Sequence, residues 1–178
     1  MGTLSDTSFF ELFFYGLWRV LPMIVVSYVV GLGIEFAAAQ IRGHEINEGF
    51  LVSGLLIPMI MPINAPLWMV GVSTAFAVII GKEIFGGTGM NIWNPALLAR
   101  AFFFFSYPSM ISGDKVWIAG MPDGFSQATP LAEAAQGLPT TYDMSSMFWG
   151  LIPGSVGETS TFCILLGAIL LIATGIGS

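Results

Sequence analysis

The sequence predicts an all-α polytopic membrane protein, and three observations carry that prediction. Hydrophobic residues fill 55% of its 178 positions, and mean hydropathy is +0.83. Charged residues fill only 9%, whereas a soluble domain carries about 25%, so there is too little polar surface to cover the chain in water. Apolar stretches recur between turns rich in proline and glycine, and the roughly 20 residues that cross a hydrocarbon core divide the chain unevenly, leaving few clean spans.

The same figures exclude other classes. Five Lys and Arg in a chain of net charge -6 cannot form a phosphate-tracking surface, so nucleic acid is not an expected partner. The single Cys163 stands in an apolar run. It excludes a disulfide framework or a cysteine-built metal or iron–sulfur site within the chain, and reads as a small core residue. Met1 to Glu11 lacks the basic start and small-residue cleavage pattern of a removable signal.

The elements follow in order. Residues 12 to 41 form a first span, with Arg19 near one end, Arg42 beyond the other and Glu35 as its interruption. Phe50 to Met61 is shorter and ends in Pro62-Ile63-Asn64-Ala65-Pro66, a turn stiffened by proline that suggests a short or re-entrant segment. Leu67 to Ile80 is apolar again and stops at Gly81-Lys82-Glu83, before the connector Gly86-Gly87-Thr88-Gly89. A new helix is predicted from Asn94-Pro95, because asparagine caps a helix start and proline loses nothing at its first position. It should run to about Tyr107-Pro108, rising only about 20 Å. That is too little to cross squarely, and broken helices of this kind usually line a site. Residues 108 to 144 form the polar excursion, Met147 to Pro153 reads equally as helix or loop, and a last apolar span runs from Thr159 to the C-terminus. Orientation stays a tie: if Arg42 and His44 face the cytoplasm, Lys82 joins them, while Arg19 and Lys115 lie outside.

Four features within these elements carry chemistry. An acid such as Glu35 in a hydrocarbon-facing helix costs several kcal/mol, so it should face a cavity, an ion path or a partner, unless it snorkels to the interface. Arg100 precedes the run Phe102 to Phe105 and needs a counter-charge or carbonyls, with a structural ion pair as its favoured role. The glycine connector, with Asn91 and Asn94 beside it, is either a tight turn or a place where backbone approaches a planar ligand. No Gly-Lys-Ser/Thr ending follows, so it is not a phosphate-binding P-loop. Within the excursion lies Asp123-Gly124-Phe125-Ser126-Gln127-Ala128-Thr129, where Thr129 reads as a helix cap with Pro130 at the first helical position.

Together these residues resemble the B-subunit family of the sodium-translocating NADH:quinone oxidoreductase, the Nqr complex. The resemblance rests on His44-Glu45-Ile46-Asn47-Glu48-Gly49-Phe50, and on Gly81-Lys82-Glu83 through Gly86-Gly87-Thr88-Gly89. It continues in Asn94-Pro95-Ala96-Leu97 with Arg100-Ala101-Phe102, in Ser112-Gly113-Asp114-Lys115-Val116-Trp117, and in Gly154-Ser155-Val156-Gly157-Glu158-Thr159-Ser160. The D subunit of the related Rnf complex is the nearest alternative. A flavin-free channel with a urea-transporter-like half is the alternative from another class.

The resemblance implies covalent FMN, esterified through its phosphate to Thr129 by a flavin transferase that recognises Asp123, Ser126 and Ala128. Gln127 stands where the family usually has glycine, placing a side chain where the transferase would meet bare backbone. Because that enzyme works outside the cytoplasmic membrane, the resemblance puts residues 108 to 144 on the outer face of a bacterial inner-membrane protein. It also implies a non-covalent riboflavin near Asn91 and Asn94, a quinone region at Gly31, and a role for Glu35 in the sodium path. Leu32 stands where a second glycine is common.

The implied partners are the remaining components of a six-subunit membrane complex, quinone, Na+ and the lipid bilayer. The implied fold is a urea-transporter-like inverted-repeat helix bundle with short and broken helices, of which residues 1–178 form one partial transmembrane domain. The chain is expected to start after the family's first helix and to end within its second half. Such a piece could hold flavin, yet coupling electrons to ions requires global states built from complete repeats.

Overall fold

The computed structural model describes residues 9–43, 49–111, 129–157 and 159–177. All regular structure among these residues is helical, as the composition predicts. Two compact units divide the chain, Met1–Ile111 and Ser112–Ser178.

In the first unit, α1 (Phe9–Arg42) is the long helix, and Pro22 sits inside it. Its 34 residues rise about 51 Å. The stretches Phe13–Arg42 and Leu67–Phe85 are long and apolar enough to cross a membrane. Helix α1 buries Val20, Met23, Ser27, Gly31, Glu35 and Ala39, a stripe three or four residues apart. The opposite positions Val25, Val29 and Phe36 are exposed. The stripe holds small and polar side chains, which is how helices approach one another where lipid is as apolar as leucine.

Helix α2 (Phe50–Ile60) is short, carries Pro58, and ends at an extended Met61. Helix α3 (Leu67–Gly81) then packs against α1 and against α4 (Pro95–Ser106). The expected start of α4 is present: the Asn94 side chain accepts from the N–H of Ala96 at 2.9 Å and of Leu97 at 3.4 Å. The core between these helices is built from Phe50, Ile57, Met61, Val70, Val78, Ala99 and Phe103. Phe76 stacks on Phe102 at 4.3 Å, and Trp68 meets Tyr107 edge-on at 5.6 Å. At Gly81 a Cβ would lie 2.8 Å from Leu98 Cδ2, so glycine permits the close crossing of α3 and α4. A single turn, α5 (Pro108–Ile111), closes the unit.

Among its described residues, the second unit holds α6 (Pro130–Ala135), α7 (Met144–Trp149) and α8 (Thr161–Ala173). Glu133 is buried beneath the loop after α6 and accepts from the Thr141 N–H at 2.9 Å and from its hydroxyl. The stretch from Met147, ambiguous in sequence, resolves as the end of α7, stopped by Gly150 in the left-handed region (φ 84°). There a Cβ would meet the Ser160 backbone within 3 Å, and the chain turns into α8. The α7–α8 corner is held by Phe162 against Trp149 and Phe148, at 5.2 and 6.0 Å. The last apolar span is shorter than the sequence suggests. Helix α8 ends at a Thr174 cap followed by Gly175 at φ 71°.

Candidate functional site

The expected site residues fall at three separate places. The first is the junction of α1 with the end of α3. Glu35 and Arg42 lie two turns apart on α1, and the consecutive Lys82 and Glu83 follow α3. Lys82 donates to Glu35 Oε1, and each side chain is only 5% exposed. Arg42 donates to the Glu83 carbonyl at 2.5 Å, and its Nη1 lies 3.6 Å from Glu83 Oε2. Glu35 therefore meets a partner within the protein and does not reach out to an interface. Removing one member of such a buried pair typically costs about 3–5 kcal/mol, because a desolvated charge is left behind. The Lys82 ammonium also sits 5.7 Å from the centre of the Phe50 ring, within cation–π range.

Gly31 lies one turn before Glu35 on the same buried face. A Cβ there would fall 1.9 Å from the Phe50 ring, so that ring fills the space a side chain would take. Gly33, by contrast, has open space around its Cα. The sequence alone singles out Glu35 and passes over its partner Lys82 and the neighbouring pair of Arg42 with Glu83. The available signal is the pair Lys82-Glu83 at the end of an apolar helix, with opposite charges at a two-turn spacing on α1.

The second place is the connector, where Gly86, Gly87 and Gly89 all take positive φ (117°, 95° and 89°). It returns the chain from the 3-10 turn Glu83–Phe85 to the start of α4. Asn91 and Asn94 are exposed upon it. Asn91 donates its amide to the Trp93 carbonyl at 3.2 Å, which leaves its oxygen for a ligand. Asn94 commits its oxygen to the cap, which leaves its amide N–H groups. One acceptor and one donor therefore stand three residues apart on exposed backbone, a set suited to the polar edge of a flat ring. Arg100 lies beyond, and its guanidinium donates to the Ile60 carbonyl at the open C-terminal end of α2. It thus serves one of the orphan carbonyls that every helix end leaves.

The third place is Thr129, at the head of α6 in the second unit. Its Oγ1 accepts from the Ala132 N–H at 3.2 Å, and Pro130 holds the first helical position, as the sequence predicts. An ester at this oxygen would keep a lone pair for that bond, so capping and attachment are compatible. Asp123, Ser126 and Ala128 lie outside the described residues. Near α6, the Tyr142 phenol is pushed above its ordinary pKa, first by burial and then by the Glu133 carboxylate.

Two further hollows flank α1. An apolar one of about 360 Å³ is lined by Trp18, Leu21, Pro22, Val25, Val26 and Leu67. A more polar one of about 580 Å³ shares Trp18, Pro22 and Leu67 with it and is also lined by Tyr15, Arg19 and Asn64.

Comparison with known proteins places this geometry in context. The NQR2, RnfD, RnfE family model matches residues 3–178. The chain is 48% identical to the B subunit of the Na(+)-translocating NADH-quinone reductase of Chromohalobacter salexigens, over 99% of this chain and 44% of that protein. It is 45% identical to the protein of the same name from Pseudoalteromonas atlantica, over 98% of this chain and 44% of that one. With the Yersinia pestis protein of that name it shares 47% identity, over 85% of this chain and 38% of the relative. The chain therefore spans less than half the length of these relatives.

Proposed function

Because this chain belongs to the NQR2, RnfD, RnfE family, we propose that it forms part of a membrane subunit of a sodium-pumping NADH:quinone oxidoreductase. The observation that carries this reading is identity near one half, along almost the whole chain, to proteins bearing that name. In this reading residues 1–178 form one multi-pass transmembrane domain in a bacterial inner membrane. Residues 108–144 face outward and carry covalent FMN. The complete protein supplies the remaining repeat and meets its partners in a six-subunit complex.

Each described site residue takes a role that its surroundings permit, and Asp123, Ser126 and Ala128 take theirs from the resemblance alone. Thr129 bears FMN through Oγ1, with Asp123, Ser126 and Ala128 as the residues the flavin transferase reads. A threonine hydroxyl is a weak nucleophile, so activation comes from that enzyme. The oxygen of Asn91 and the amide of Asn94 hold the polar edge of a riboflavin. Gly31, which lets the Phe50 ring press against α1, belongs to the wall that quinone reaches. Glu35 supplies the carboxylate of the sodium path. The flavins, when bound, supply the electron chemistry, and the chain itself positions them and isolates the buried charges. The family model also covers the D subunit of Rnf complexes, which supports a second reading as a component of an ion-translocating ferredoxin:NAD oxidoreductase. The flavin assignment at Thr129 is common to both readings.

The test is in-gel flavin fluorescence after co-expression with the transferase. The native chain should fluoresce after denaturation and Thr129→Ala should not. A dark native band would remove the flavin reading, and a bright Thr129→Ala band would move the attachment elsewhere.

A further inference from the structure

We propose that Lys82 is a tethered cation which a sodium ion displaces from Glu35, and that Glu83 is the carboxylate that receives it. The proposal rests on the sodium-transport reading above and adds to it a moving part and a direction.

The four charges form two tiers. The inner pair, Glu35 with Lys82, is sealed at 5% exposure on both sides. The outer pair is uneven, because Glu83 is 9% exposed at its side chain while Arg42 is 38% exposed. Arg42 is the one member that can turn into water without a large penalty. Glu83 Oε2, in turn, is buried and accepts no hydrogen bond. Once Arg42 turns away, Glu83 Oε2 is a carboxylate oxygen open to the ammonium of the adjacent residue.

Charge balance selects this exchange over simple addition. With all four groups in place the cluster is neutral, and a sodium ion added beside Lys82 would leave one net positive charge in a poorly solvated space, which is costly. If Lys82 crosses to Glu83 and Arg42 turns outward, the buried set becomes Glu35, Glu83, Lys82 and the sodium ion. That set is again neutral.

The backbone suits such a motion. Lys82 holds the C-cap of α3, where the helix dipole favours a cation whichever carboxylate it faces. Its four-carbon stem is flexible and its head is a point charge with three donors, unlike the planar guanidinium of arginine. The Phe50 ring, 5.7 Å from Nζ, offers the ammonium a face along the way.

The measurement is sodium-stimulated quinone reduction by the assembled complex containing the full-length protein. Lys82→Met keeps the stem and removes the competitor, so the KM for sodium should fall by about tenfold. Glu83→Gln removes the receiving carboxylate, so that KM should rise, opposite in sign. Lys82→Arg keeps the charge and should leave the KM at or above the native value. A rigid staple would move none of these in opposite directions. An unchanged or raised KM in an assembled Lys82→Met complex overturns the proposal, as does a lowered KM in Glu83→Gln. Should Lys82→Met not assemble, Glu83→Gln decides alone, and an unchanged KM there is fatal. If the native complex shows no sodium stimulation, the transport reading itself fails. Native stimulation with unmoved variants sinks only the role of Lys82.

Discussion

Gly31 has no side chain because the Phe50 ring occupies the place where one would stand, 1.9 Å from an ideal Cβ. Gly31→Ala should therefore push Phe50 out of a fully buried position and destabilise the protein by about 1–3 kcal/mol, as overpacking does. Gly33→Ala, two residues along with open space around it, should stay within about 0.5 kcal/mol. Thermal unfolding of the two variants in detergent separates them, and equal shifts would show that packing against Phe50 is not what requires glycine. At this scale the sequence was readable in part. Thr129 and Asn94 announced their capping roles because cap chemistry is local, and both caps are present. The partners of Glu35 were not readable, since Lys82 lies 47 residues away and nothing local says which carboxylate it will meet.

Helix α4 has its start fixed by one side chain that serves two purposes in the proposed function, and substitution can part them. Asn94→Ala removes the oxygen that accepts from Ala96 and Leu97 and should cost about 1 kcal/mol of stability. Asn94→Asp keeps an accepting oxygen, and so the cap, but loses the amide N–H groups offered to riboflavin. Stability should then hold while non-covalent flavin, measured after extraction from the purified complex, declines. Retention of flavin in Asn94→Asp would place the contact elsewhere on the connector. Element boundaries were legible where proline or a cap marks them, as at Pro66, Pro95 and Pro130. They were obscure at α7 and at the end of α8, where Gly150 and Gly175 in the left-handed region stop the helices. A glycine in an apolar run does not reveal whether it will turn or continue. The buried stripe of α1 was hidden for a different reason: the helix is apolar on nearly every side, so no contrast marks its inner face, and small and polar residues mark it only once neighbours are in place.

Orientation in the membrane belongs to the whole molecule, and here local rules give no answer. Arg42 and Lys82 are drawn into the charge cluster, which takes them out of the pool of free loop cations that normally sets topology. The even count of Arg42 and Lys82 against Arg19 and Lys115 depends on these two paired cations, so counting does not set the side and the flavin loop must decide it. With Cys163 replaced by alanine, a single cysteine introduced at Leu131, which is 81% exposed on α6, should react with a membrane-impermeant maleimide in intact cells. A cysteine at Ile84, 59% exposed beside the charge cluster, should react only after the cells are opened. The reverse pattern would put Thr129 on the cytoplasmic side, out of reach of an external transferase, and would sever the link between the attachment residue and the outer face.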